Sequence, residues 1–138
     1  MENDVILNKS HIVERCISRV NEVYAGDPEN LKDFTKQDSI ILNIQRACEA
    51  CIDLAMHMIS EKKLGLPQST RDAFDILEQN GIIDTVLAGR LKMMVGFRNI
   101  AVHEYQKLDL VIVRKIIDTH LADLLEFSRI LLKKAYHQ

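Results

Sequence analysis

The sequence predicts an all-α protein, an antiparallel four-helix bundle with one additional short helix. Apolar residues recur at spacings of three and four almost throughout, the period of a helix with one buried stripe. No stretch alternates apolar and polar residues as a half-buried strand would. Two prolines and five glycines in 138 residues leave the composition tilted toward helix formers. The chain reads as a single domain, 1–138, long enough to bury a real core.

The elements follow in order. Ile6, Ile12, Val13, Cys16, Ile17, Val20 and Val23 trace a first helix over roughly residues 3 to 25, stopped by "GDPEN". A long second helix runs from about Thr35 to near Lys63, with Thr35 and Asp38 in capping-box spacing and "LGLP" ending it. Ser69 is a natural N-cap for a short helix, Thr70 to about Gln79, that exits at "NG". Asp84 caps a fourth helix through Val86, Leu87, Leu91, Met94 and Val95 into "GFRNIAVHEY". A final helix occupies about Asp109 to Tyr136, with apolar residues on more than one stripe, as expected of a bundle member that also covers a partner. No internal repeat, low-complexity segment or linker interrupts this order.

Charge and cysteine content narrow the function. A formal charge of −2 supplies no global field for nucleic acid, so such binding needs a local basic patch. No run approaches a bilayer span, and "MENDVILNKSH" lacks the features of a signal peptide, so a cytoplasmic location is expected. Three cysteines, an odd number, suit a reducing compartment better than a disulfide scaffold. "CEAC", Cys48 to Cys51, falls mid-helix at core spacing with no second ligand pair, so it reads as packing rather than a zinc or redox site. His57 reads likewise, while His11, His120 and His137 have no spaced partners.

The densest polar cluster is "GFRNIAVHEY". On a helix Asn99 and His103 lie about 40° apart and share a face, whereas Arg98 and His103 lie about 140° apart, so unwinding near Ala101 or Val102 would help them meet. Arg98 and Tyr105 are nearly aligned, about 10.5 Å apart in rise. One helix end can thus gather a cation, an amide, an imidazole and a phenol in one cleft. These groups suit phosphate chemistry on RNA: histidine exchanges protons near neutrality, and the guanidinium fork meets charge building on phosphate oxygens. No metal is required by that chemistry, and no cofactor is called for.

Arg98, "NIAV", His103, Glu104 and Tyr105 resemble the R-x4-H-x-Y signature of the HEPN superfamily, and within it the HepT-like toxins. "PQSTRDAFDILEQNGII", "LKMMVGFRNIAVHEY" and "LDLVIVRKIIDTHLADLLEF" extend the resemblance over nearly the whole chain. It implies a homodimeric helical bundle with two motifs facing one cleft, acting as a metal-independent ribonuclease toxin. Arg98 and His103 would be its catalytic pair, with Asn99 supporting them. It also implies a nucleotidyltransferase antitoxin of the MNT type that silences the toxin by adding AMP to Tyr105, placing anionic phosphate and bulk beside Arg98.

Blander readings stand beside these. Arg98 could form a salt bridge or a helix C-terminal charge, His103 could be a hydrogen-bonded terminal histidine, and Tyr105 could pack its ring. Between Val86 and Lys107 four cations, Arg90, Lys92, Arg98 and Lys107, face one acid, Glu104, a local balance of +3. Arg90, Lys92 and Lys107 are either an RNA-attracting rim or an ordinary solvated face. One motif offers one imidazole, while proton transfer at two oxygens is eased by two, which favours homodimerisation. The competing function is a non-catalytic helical module that binds, and is modified by, a nucleotidyltransferase. A metal or redox bundle on Cys48, Cys51 and His57 ranks third.

Overall fold

A computed structural model describes residues 2–136, and His137 lies outside them. Helix α1 (Glu2–Tyr24) ends where Ala25 and Gly26 turn left-handed at φ 52° and 70°. A 3-10 turn over Pro28–Lys32 then leads into α2 (Phe34–Lys62). The start of α2 departs from expectation. Asp33, in extended backbone, caps it by accepting from the Lys36 N–H at 3.0 Å, so the Thr35–Asp38 capping box is not formed. A carboxylate one residue before the helix already meets the first unpaired N–H groups, which leaves Asp38 free for another partner. Lys63, left-handed at φ 55°, closes α2.

Ser69 caps α3 (Thr70–Gln79) and Asp84 caps α4 (Thr85–His103), both as the sequence predicts. A 3-10 turn at Tyr105–Lys107 comes next. The single helix expected at the end is divided: α5 (Leu110–Lys115) passes through a π-helical turn (Ile116–His120) into α6 (Leu121–Tyr136). A π turn inserts an extra residue and rotates α5 about the axis relative to α6, which accounts for the two apolar stripes.

Helix α2 is the centre, packing against α1, α3, α4 and α6. Its buried residues run from Ile40 and Ile41 through Ala47, Cys48 and Cys51 to Met58 and Ile59, covering more than one face. Lys9, early in α1, pairs with Asp53, late in α2, at 2.9 Å, so these two helices run antiparallel. Phe74 of α3 meets Phe127 of α6 edge-on, centroids 5.5 Å apart, a geometry worth about 1 kcal/mol beyond area burial. Cys48 and Cys51 are core packing residues; burial pushes the Cys48 thiol up to about 12 and raises that of Cys51 as well. No helix among the described residues is long and apolar enough to cross a membrane.

Candidate active site

Helix α4 stays intact through His103, and the Glu104 N–H donates to the Ile100 carbonyl at 2.8 Å as the helix closes. The unwinding near Ala101 or Val102 that would swing His103 toward Arg98 does not occur. The two therefore keep their separation of about 140° around the axis. Within one chain their side chains share no hydrogen bond: Arg98 faces α2, while His103 is exposed and its imidazole makes no hydrogen bond or ion pair with a described residue.

Arg98 is held but not saturated. Its Nη1 donates to Asn99 Oδ1 at 2.9 Å, so Asn99 supports the arginine rather than the imidazole with which it shares a helix face. Its Nε lies 3.8 Å from Glu49 Oε2, too long for a hydrogen bond, and is buried without an acceptor among the described residues. An unbonded donor on a guanidinium costs free energy until an oxygen reaches it. The side chain keeps 23% of its surface exposed, although Nε itself is buried, so an incoming phosphate meets the exposed part of the side chain first.

Tyr105 lies past the end of α4, so extrapolating the helix to align it with Arg98 does not apply. The 3-10 turn instead carries it to α2, where its hydroxyl donates to Asp38. Partial burial, this hydrogen bond and the Asp38 charge all push the phenol well above its usual range. Asp38 and Glu49 are eleven residues apart, about 20° apart around α2 and roughly 16 Å along it, on one stripe with Leu42 and Gln45 between. Two acids on that stripe thus hold the phenol and the guanidinium. Sequence reading missed both, since the only signal is an eleven-residue spacing among many acids.

The three other basic residues are engaged. Arg90 pairs with Asp123 at 3.2 Å, Lys92 with Asp75 at 2.6 Å and Lys107 with Glu104 at 2.7 Å. The local +3 balance left out Asp75 and Asp123, which arrive from α3 and α6. Asp123, 5% exposed, also lies 2.8 Å from Nδ1 of buried His120, giving that histidine a structural partner.

Comparison with known proteins places the chain in a family. The profile of the ribonuclease HepT-like family matches residues 13–131. The chain is 51% identical over 125 residues to the mRNA nuclease HepT of Shewanella oneidensis, covering 91% of this chain and 94% of that one. A crystal structure of a toxin–antitoxin with AMP-PNP contains a chain 50% identical, with TM-score 0.89 over 96% of this chain and 98% of that one. The tri-AMPylated Shewanella oneidensis HEPN toxin, in complex with an MNT antitoxin, superposes at TM-score 0.88 and 51% identity over the same shares. The chain is therefore all-α in the same manner as these toxins and belongs to the ribonuclease HepT-like family.

Proposed function

We propose that this protein is the toxin of a toxin–antitoxin pair, a cytoplasmic endoribonuclease silenced by AMPylation of Tyr105. The observation that carries the reading is Arg98: a guanidinium steadied by Asn99, with an Nε that has no acceptor among the described residues, on the same helix end as the exposed imidazole of His103. In the proposed reaction the ribose 2′-hydroxyl attacks the adjacent phosphorus and the bond to the 5′-oxygen breaks. The products are a 2′,3′-cyclic phosphate and a 5′-hydroxyl. Arg98 holds the phosphate and the charge that builds on its oxygens. His103 moves a proton from the 2′-oxygen or to the leaving 5′-oxygen, and no metal takes part.

A homodimer supplies a second imidazole. Met93, Ile100 and Ile112 form an exposed apolar face around a cleft of about 440 Å³ between α4 and α5. Contiguous exposed apolar surface of this kind marks interaction sites. His103 lies about 60° from Ile100 around α4, nearer this face than Arg98 is, so a second copy docked there brings its own motif toward the same cleft. The inhibitor is a nucleotidyltransferase antitoxin. AMP on Tyr105 replaces the hydroxyl proton with a phosphodiester, removes the bond to Asp38 and adds an anion and bulk at the Asp38 end of the stripe that leads to Glu49 and Arg98, where they obstruct the path of RNA to the guanidinium. Arg90, Lys92 and Lys107 act at most as a secondary rim, because opening each ion pair must precede contact with phosphate.

The test is incubation of the purified protein with RNA in excess chelator. Cutting by wild type, reduced about 10²- to 10⁴-fold by His103→Ala, is expected. Intact RNA with wild type, alongside tight binding of the nucleotidyltransferase, would replace the enzyme with a non-catalytic interaction module.

A further inference from the structure

Helices α1 and α2 enclose a groove of about 510 Å³ bordered by Glu49, the carboxylate that also faces Arg98. Lys9, Arg15 and Arg19 of α1 line it with Arg46, Glu49 and Asp53 of α2. Lys9 is neutralised by Asp53 at 2.9 Å, and Arg19 has a loose exposed contact with Glu22 at 3.7 Å. Arg15 and Arg46 are exposed and make no ion pair with a described residue. Their charges converge: burial raises the thiol of Cys16 beneath them, and Arg15, Arg46 and Arg19 pull it back down.

We propose that this groove is a second, sequence-neutral binding site for the phosphodiester backbone of single-stranded RNA, feeding the strand to Arg98. It rests on the reading that the protein acts on RNA. Three features favour that ligand. The cations without an acid of their own are arginines, whose planar forks match phosphate oxygens two at a time. Arg15 and Arg19 are one turn apart on α1, about 6 Å, and Arg46 faces them from α2, giving a row rather than a point. Arg46 stands three residues before Glu49, so the row abuts the carboxylate that faces Arg98. No aromatic side chain among the described residues lines the groove, so backbone contact without base stacking is expected.

The experiment measures binding of a fluorescent single-stranded RNA to full-length His103→Ala protein across a salt series. Arg15→Gln/Arg46→Gln in that background is expected to weaken binding about tenfold and to lower the slope of log affinity against log salt by about 1.4, roughly 0.7 for each phosphate no longer neutralised. Arg129→Gln/Lys134→Gln on α6, which removes the same charge, should change the slope by much less. Unchanged affinity and slope, or an equal loss in the α6 control, would overturn the proposal. So would a defect confined to capture of the nucleotidyltransferase, which would make the groove a protein-docking surface. Cleavage by the protein with His103 intact is scored separately. If wild type cuts RNA and the groove variant binds normally, the groove fails and the nuclease stands; if wild type cuts nothing and the groove variant loses binding, the reverse holds.

Discussion

Replacing Asp38 with alanine should make Tyr105 easier to modify. A hydrogen bond to a charged acceptor contributes about 1.5–3 kcal/mol when fully enclosed. Tyr105 is 38% exposed and Asp38 is exposed too, so solvent screening reduces the net value to about 1 kcal/mol. The nucleotidyltransferase must break this bond before the phenol oxygen attacks, so its loss corresponds to roughly fivefold faster transfer. Asp38→Asn, which keeps an acceptor without the charge, should fall between. The assay is the rate at which one AMP mass appears on the Tyr105 peptide when each variant meets antitoxin and ATP. The same contact sets a pH dependence. Its folded-state pKa lies above that of a free tyrosine, so the stabilisation is complete below pH about 10 and is lost as pH rises through the folded value. The phenolate absorbance of Tyr105, isolated by difference against Tyr105→Phe, should therefore appear at lower pH in Asp38→Ala. Slower modification in Asp38→Ala would refute the reasoning and make the carboxylate the acceptor of the phenolic proton.

Further outcomes are expected elsewhere. Asp123→Ala leaves His120 and Arg90 without their shared carboxylate, costing about 3 kcal/mol and lowering Tm by about 10 °C; thermal unfolding within about 2 °C of wild type would contradict this. Glu49→Gln removes the carboxylate facing Arg98 at 3.8 Å and should tighten RNA binding by up to about fivefold, since a partly exposed ion pair is worth about 1 kcal/mol or less. Because Cys16, Cys48 and Cys51 are buried with raised thiol pKa values, none should react with a thiol reagent at neutral pH until denaturant is added, which a simple absorbance count checks.

Much of the fold was legible because helix starts and stops are local chemistry. Ser69 and Asp84 cap the helices that the sequence assigned to them, and the apolar spacing of α2 marks the central helix. The capping box failed because Asp33 and Thr35 compete for the N-cap role, and extended backbone at position 33 decides between them. The π turn at Ile116–His120 was visible only as a blurred stripe. At the candidate site, Arg98, Asn99, His103 and Tyr105 were singled out through a motif within eight residues. Their partners were not, because Glu49 and Asp38 reach them through tertiary packing across tens of residues. The same non-local pairing took Arg90 and Lys92 out of the expected basic rim, through Asp123 and Asp75.

The most direct measurement is single-turnover cutting, in chelator, of an RNA whose scissile ribose carries either its 2′-hydroxyl or a 2′-hydrogen, by wild type, Arg98→Ala and His103→Ala. Wild type should release a 2′,3′-cyclic phosphate and a 5′-hydroxyl only from the hydroxyl-bearing strand. Each variant should be slower by at least about 10²-fold. Cutting of the 2′-deoxy strand, or wild-type rates from either variant, would contradict the assignment of the chemistry to these two side chains.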